Sequence, residues 1–139
     1  VKAVRNGSYW QLRLMPGEEI IETLGGFLGS RRIRSGFLTA IGAAENITLG
    51  CFDPKSRKYH KRVFKGDHEV AALVGNVGWL GRNPVCHIHA VISTPRLVTY
   101  AGHLFSGTVT VTLEVALVPG TRRLVRSLDP LSGLNLLAL

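Results

Sequence analysis

The chain has 139 residues, 45% of them hydrophobic and 19% charged, with a formal net charge of +8. That length suits a single domain, residues 1–139, and a chain of this size buries about 68% of its unfolded surface. The balance excludes a disordered or low-complexity chain, and two cysteines, Cys51 and Cys86, exclude a disulfide framework; the positive charge fits a polyanionic partner or a merely solvated basic surface equally well.

The opening "VKAVRNGSYW" lacks the apolar centre of a signal peptide. No apolar run nears the roughly 20 residues of a membrane span. A cytoplasmic protein without a membrane partner is the expectation. In "SYWQLRL", Trp10, Leu12 and Leu14 alternate with Gln11 and Arg13, the period of a half-buried strand. "PGEEIIETLGGFLGSRR" then places Ile20, Ile21, Leu24, Phe27 and Leu28 on one helical face. Glu18 and Glu19 fall in its first turn and Arg31 and Arg32 in its last, as the helix dipole favours. Gly25 and Gly26, each costing about 1 kcal/mol relative to Ala, imply close packing or a helix shorter than the pattern.

From "SGFLTAIGA" onward the chain reads as strands. "NITLGCF", a turn at Pro54–Ser56, "KYHKRVF", "HEVAALVGNV", "PVCHIHAVI", "RLVTY" and "GTVTVTLEVALV" follow. Short spacings favour antiparallel pairing. In the last strand Val109, Val111, Leu113, Val115 and Leu117 are expected on one face, with Thr108, Thr110, Thr112 and Glu114 on the other. One helix against seven or eight strands makes an α+β domain. The leucines of "SLDPLSGLNLLAL" either dock on the domain or fill an interface between subunits. Cys51 and Cys86 read as small buried apolar residues.

"PVCHIHAVI" carries His87 and His89 two apart. Residues i and i+2 of a strand project on one side, their Cα atoms roughly 6.5–7 Å apart, so both imidazoles can converge on one point. His103 lies 14 residues beyond His89, where a hairpin return brings it beside the pair, and Gly102 before it lets backbones approach closely. Three imidazoles from neighbouring strands suit zinc or another divalent transition metal, with one coordination position open. The competing reading is of ordinary histidines hydrogen-bonded on a half-exposed face. His60 reads as solvated, and His68 as a surface or more distant residue. No GxSxG, CxxC or HExxH accompanies the site. Glu69 and Glu114 are the strand carboxylates that could serve it as acid, base or orienting group.

Basic residues form three clusters: Arg31, Arg32 and Arg34; Lys55, Arg57, Lys58, Lys61, Arg62 and Lys65; and Arg122, Arg123 and Arg126. The middle one, on a turn and the strand after it, suits phosphate contacts best, through Lys55, Arg57, Lys58, Lys61 and Arg62. A solvated hairpin is the plainer reading. No helix-turn-helix, RRM signature or zinc finger is present to read a sequence.

"LRLMPGEEIIETLGGFL", "SGFLTAIGAAENITLGCFD", "HEVAALVGNVG", "PVCHIHAVIS", "AGHLFSGTVTVTLEVAL" and "DPLSGLNLL" stand in the order of the plant and prokaryote conserved (PPC) domain. The chain resembles that family from about Leu12 to Leu137. The resemblance implies an α+β domain, a curved antiparallel sheet with one main helix packed on it, assembled as a homotrimer. In plant members AT-hook motifs carry the contact with A·T-rich DNA. This chain has no Arg-Gly-Arg-Pro hook and is similar to the stand-alone prokaryotic type, where DNA binding is inferred by analogy. The motif histidines that can hold a metal in those proteins correspond to His87, His89 and His103. Ala101-Gly102-His103-Leu104 stands where the family has Gly-Gly-His-Leu. The function expected is that of a regulatory protein with a zinc-type site and weak, non-specific DNA binding. The alternatives are a metal-dependent enzyme and a protein that binds a small anionic ligand at the metal.

Overall fold

The computed structural model describes residues 1–139. In chain order it contains β1 (Lys2–Asn6), β2 (Tyr9–Leu14), α1 (Ile20–Ser30), β3 (Gly36–Asp53), β4 (Lys58–Phe64), β5 (His68–Leu80), β6 (Asn83–Ser93), β7 (Thr99–Pro119), β8 (Val125–Leu128) and β9 (Asn135–Ala138). The strands form one sheet in the order β1-β2-β7-β3-β5-β8-β9. β4 pairs with β3, and β6 pairs with both β5 and β7. The sheet therefore curls until β7, β3, β5 and β6 close on one another. All pairings are antiparallel except a single parallel bridge, Trp79 to Val125.

The helix is shorter than its pattern. Its N-cap is Glu19, whose carboxylate accepts from the Glu22 backbone N–H at 2.7 Å. Glu18 sits outside, paired with the Val1 ammonium. Arg31 is the C-cap, and no basic residue occupies the last turn. The dipole pattern expected of Arg31 and Arg32 is thus displaced beyond the helix end. Ile20, Leu24, Phe27 and Leu28 are buried, and join a core of 24 apolar residues that includes Leu12, Leu14, Leu38, Leu73, Ile88, Ile92 and Leu113.

Three sequence expectations change, and one strand is new. β1, unread in the sequence, pairs along its length with β2. "RLVTY" is not a strand of its own: residues 94–98 form the β6–β7 hairpin, and β7 begins at Thr99. Val111 is 68% exposed although Val109 and Leu113 are buried: between the pairs Gly42–Leu113 and Ala44–Val109 β7 runs two residues longer than β3, and Val111 lies in that unpaired excess. Cys51 is exposed and Cys86 only partly buried. The tail docks on the domain, the first of its two expected alternatives. β8 and β9 pair with each other at the end of β5, leaving Leu131 and Leu139 exposed.

Candidate metal centre

On β6, Ile88 and Ala90 point into the core, at 0% and 2% exposure. His87 and His89 therefore project from the opposite face. The β6–β7 hairpin brings His103 directly opposite His89, and β3 places Gly50 on the other side of His103. The ring centroids of His87, His89 and His103 lie 5.1–5.6 Å apart. One nitrogen from each lies within 4.8 Å of the other two. Nitrogens sharing a tetrahedral zinc at about 2.0–2.1 Å stand roughly 3.4 Å apart, a contraction that small side-chain rotations cover. Nδ1 of His103 is buried without a hydrogen-bond partner, an arrangement that is costly unless something else ligates it. The three residues thus fit the donor set of a divalent transition metal.

Aromatic rings wall the cluster. Tyr59 lies 5.3 Å and Phe105 4.6 Å from the His103 ring, edge-on to one another at 5.0 Å. Gly50 makes room for them: a Cβ there would meet the Phe105 ring at 2.7 Å. Gly102 serves the approach expected of it, since a Cβ would stand 2.9 Å from the Gly50 carbonyl oxygen. Tyr59, on β4, is revealed only by strand pairing, whereas Phe105 stands two residues after His103 on β7, a spacing that places both on one face.

Electrostatics keep the site ready for a cation. Burial, reinforced by His87, His89, Lys61 and Arg126, lowers the His103 pKa to about 4. Burial, with Arg126 and His89, also lowers that of His87. Both rings are neutral at pH 7, the form that can ligate. Burial pushes the Cys86 thiol up to about 12, so it stands near the imidazoles as a neutral thiol and not as a thiolate ligand.

The other sequence-chosen residues lie elsewhere. Glu69 pairs with Ser93, at the hairpin end of β6, and is exposed beside Asp67 and His68. Glu114 pairs with Arg13 on the flank of β2. Neither orients a site imidazole. His60 is solvated as expected, whereas His68 is buried at 7% exposure, its Nδ1 2.8 Å from the Gly66 carbonyl oxygen. Lys55, Arg57, Lys58, Lys61 and Arg62 are all exposed on the β3–β4 hairpin, whose turn is held by Asp53 accepting from Lys55 N and Ser56 Oγ. Lys61 and Arg62 face opposite ways, Lys61 over Phe105 at 3.7 Å and Arg62 over Phe64 and Tyr100. Arg126, grouped by sequence with Arg122 and Arg123, is buried at 8% exposure.

A curled sheet with one helix, and three imidazoles converging on the face away from the core, defines a small α+β domain with a histidine cluster of metal-ligand type. The chain belongs to the Plants and Prokaryotes Conserved (PCC) domain family, the PPC family of the sequence resemblance, whose family model matches residues 1–120. Among solved structures it is similar to a candidate DNA-binding protein from Bacteroides thetaiotaomicron, at 26% identity and a TM-score of 0.94, covering 99% of this chain and 96% of that one. It is also similar to a metal-containing protein from Archaeoglobus fulgidus, at 29% identity and a TM-score of 0.88 over 96% and 94% of the two chains. A PPC protein from Pyrococcus horikoshii shares the fold at 24% identity, with a TM-score of 0.88 over 99% and 94%. No curated protein matches the chain.

Proposed function

We propose that this chain is a metal-binding PPC protein that holds zinc or another divalent transition metal through His87, His89 and His103, within a homotrimer. The observation that carries this reading is the convergence of three imidazole nitrogens within 4.8 Å of one another. The neutrality of His87 and His103, and the orphaned Nδ1 of His103, support it. Three protein ligands leave one position exchangeable. No carboxylate lines the hollows that touch the imidazoles, so a ligand-holding role is better supported than acid–base catalysis. Metal analysis of untreated protein tests the reading, with one ion per chain expected. Loss of an outer partner of a ligand costs about 10–100-fold in metal affinity, and His87→Ala should cost more while leaving the circular dichroism spectrum unchanged. Unchanged metal affinity after replacing all three histidines by Ala overturns the proposal.

A second reading is a weak, non-specific contact with DNA. It is favoured by the exposed Lys55, Arg57 and Lys58 at the tip of the β3–β4 hairpin, and by the description of the Bacteroides relative. Lys61 and Arg62, on opposite faces of β4, do not both join one surface.

A further inference from the structure

A cavity of about 300 Å³ opens beside the histidine cluster, between β6 and the tail. Tyr59, His87 and His103 line one side, Leu80 and Leu136 another, and Arg126 of β8 completes it. Arg126 is 8% exposed. Its Nη1 donates to the Asn135 carbonyl at 3.1 Å and its Nη2 to Asn76 Oδ1 at 2.5 Å. Nε is buried with no partner. A guanidinium carries five N–H donors, so those two contacts leave three unused.

No charge of this chain balances Arg126. The ion pairs within the protein join Val1 to Glu18 and His60 to Asp53, and none reaches the guanidinium. A buried cation without a counter-ion is destabilising unless something supplies the opposite charge. The fold nevertheless makes room for it: a Cβ at Gly78 would stand 3.0 Å from Leu137 and 3.4 Å from the Arg126 Nε. Through Asn76, which pairs with His87 across β5 and β6, the guanidinium is tied to the strand that carries the imidazoles.

We propose that this cavity binds a small monocarboxylate, its carboxylate paired with Arg126 and its short apolar body lying against Leu80, Val85 and Leu136, facing the histidine cluster. The planar guanidinium matches a carboxylate in shape and charge. In the metal-free chain one positive group answers one negative charge, and the remaining walls are mainly apolar, which disfavours a dianionic phosphate. The volume lies at the lower end of small-molecule sites, about 300–1,000 Å³, and suits a ligand of few atoms. The proposal rests on the metal reading only for the ligand's approach to the exchangeable coordination position. The pairing with Arg126 does not require the ion.

The test is a titration of the full chain, metal-free and zinc-loaded, with butyrate, butyramide and inorganic phosphate, followed by ligand-observed NMR and thermal shift. Butyrate should bind both forms, more tightly with zinc; butyramide, and phosphate in the metal-free form, should bind at least tenfold more weakly. Arg126→Lys keeps the charge but loses the fork and should weaken butyrate at least tenfold without changing zinc content. Should that variant fail to fold, Val85→Phe, which fills the apolar wall and leaves Arg126 in place, must produce the same loss. Equal binding of butyramide, tighter binding of phosphate to the metal-free chain, or butyrate affinity unchanged in the folded variants overturns the proposal. If the wild-type chain takes up no zinc, the three-histidine reading fails by itself, and the metal-free titration still decides the role of Arg126.

Discussion

His103 concentrates the chemistry of the site in one side chain. Its pKa falls from the ordinary 6.5 to about 4, with burial the leading cause. Between those values the unfolded chain takes up a proton that the folded chain refuses, so this contribution to stability is complete above pH 6.5 and is lost as pH falls through about 4. Metal-free protein should therefore show a falling Tm across that window, and His103→Gln should flatten part of the slope. A Tm independent of pH there contradicts the burial of the ring. The same shift bears on metal affinity, since a ligating imidazole must be neutral. His87 and His103 stay neutral to lower pH than a free imidazole, and zinc should be retained at pH 6.0 in competition with a chelator. The three histidines were legible in the sequence because i, i+2 spacing on a strand and a hairpin return are local geometry. Phe105, two residues after His103 on the same strand, was open to the same rule and went unread; Tyr59 and Arg126 were not legible, because they reach the site through the pairing of β3 with β4 and β7 and through the docking of β8. Glu69 was misread for the same reason: strand residues far from the motif acquire neighbours only through register.

At the level of elements, β3 and β7 organise the molecule. β3 runs 18 residues and pairs with β4, β5 and β7, so one residue on it can disturb several neighbours. Gly50 is such a residue. Gly50→Ala would force the Phe105 ring away from a 2.7 Å approach and shift the wall behind His103. It should weaken zinc binding about tenfold, within the range for groups that position ligands, while Leu28→Ala in α1 should cost about 2–5 kcal/mol of stability and leave the metal stoichiometry unchanged. Zinc titrations and thermal melts of the two variants separate a positioning effect from a packing effect. The period-two strand β2 and the helical periodicity of α1 were legible because each buries one face. β1 was not, since all five of its residues are exposed and it is held by pairing with β2, with no alternation to betray it. Val111 escaped because it lies in the two-residue excess of β7 opposite Gly42 and Ala44, a local irregularity that alternation does not announce.

At the scale of the whole molecule, the single chain leaves a large apolar surface uncovered. Phe37 and Val118 are paired neighbours on β3 and β7 and are 52% and 48% exposed. Ile41, Val111 and the tail leucines Leu131 and Leu136 are also exposed. A surface of this kind suits burial between subunits, and light scattering should give three times 15.1 kDa. Phe37→Asp should dissociate the assembly, and a stable wild-type monomer at micromolar concentration would rule the trimer out. Assembly bears on DNA as well. Each chain carries +8, and a trimer presents three β3–β4 hairpins, so even weak contacts gain by acting together if one duplex reaches more than one of them. The proposed contact, made by Lys55, Arg57 and Lys58 with one of Lys61 and Arg62, would be electrostatic, with no reader of base edges. Its affinity should follow counterion release, with log Kobs falling against log salt at a slope of roughly −3.6 for each engaged hairpin. Binding should be indifferent to sequence, and replacement of the five residues by Ala should remove most of it. Fluorescence anisotropy on two duplexes of different sequence, across a salt series, measures all three effects. Salt-independent binding excludes the mechanism, and unchanged affinity in the five-residue variant excludes this surface.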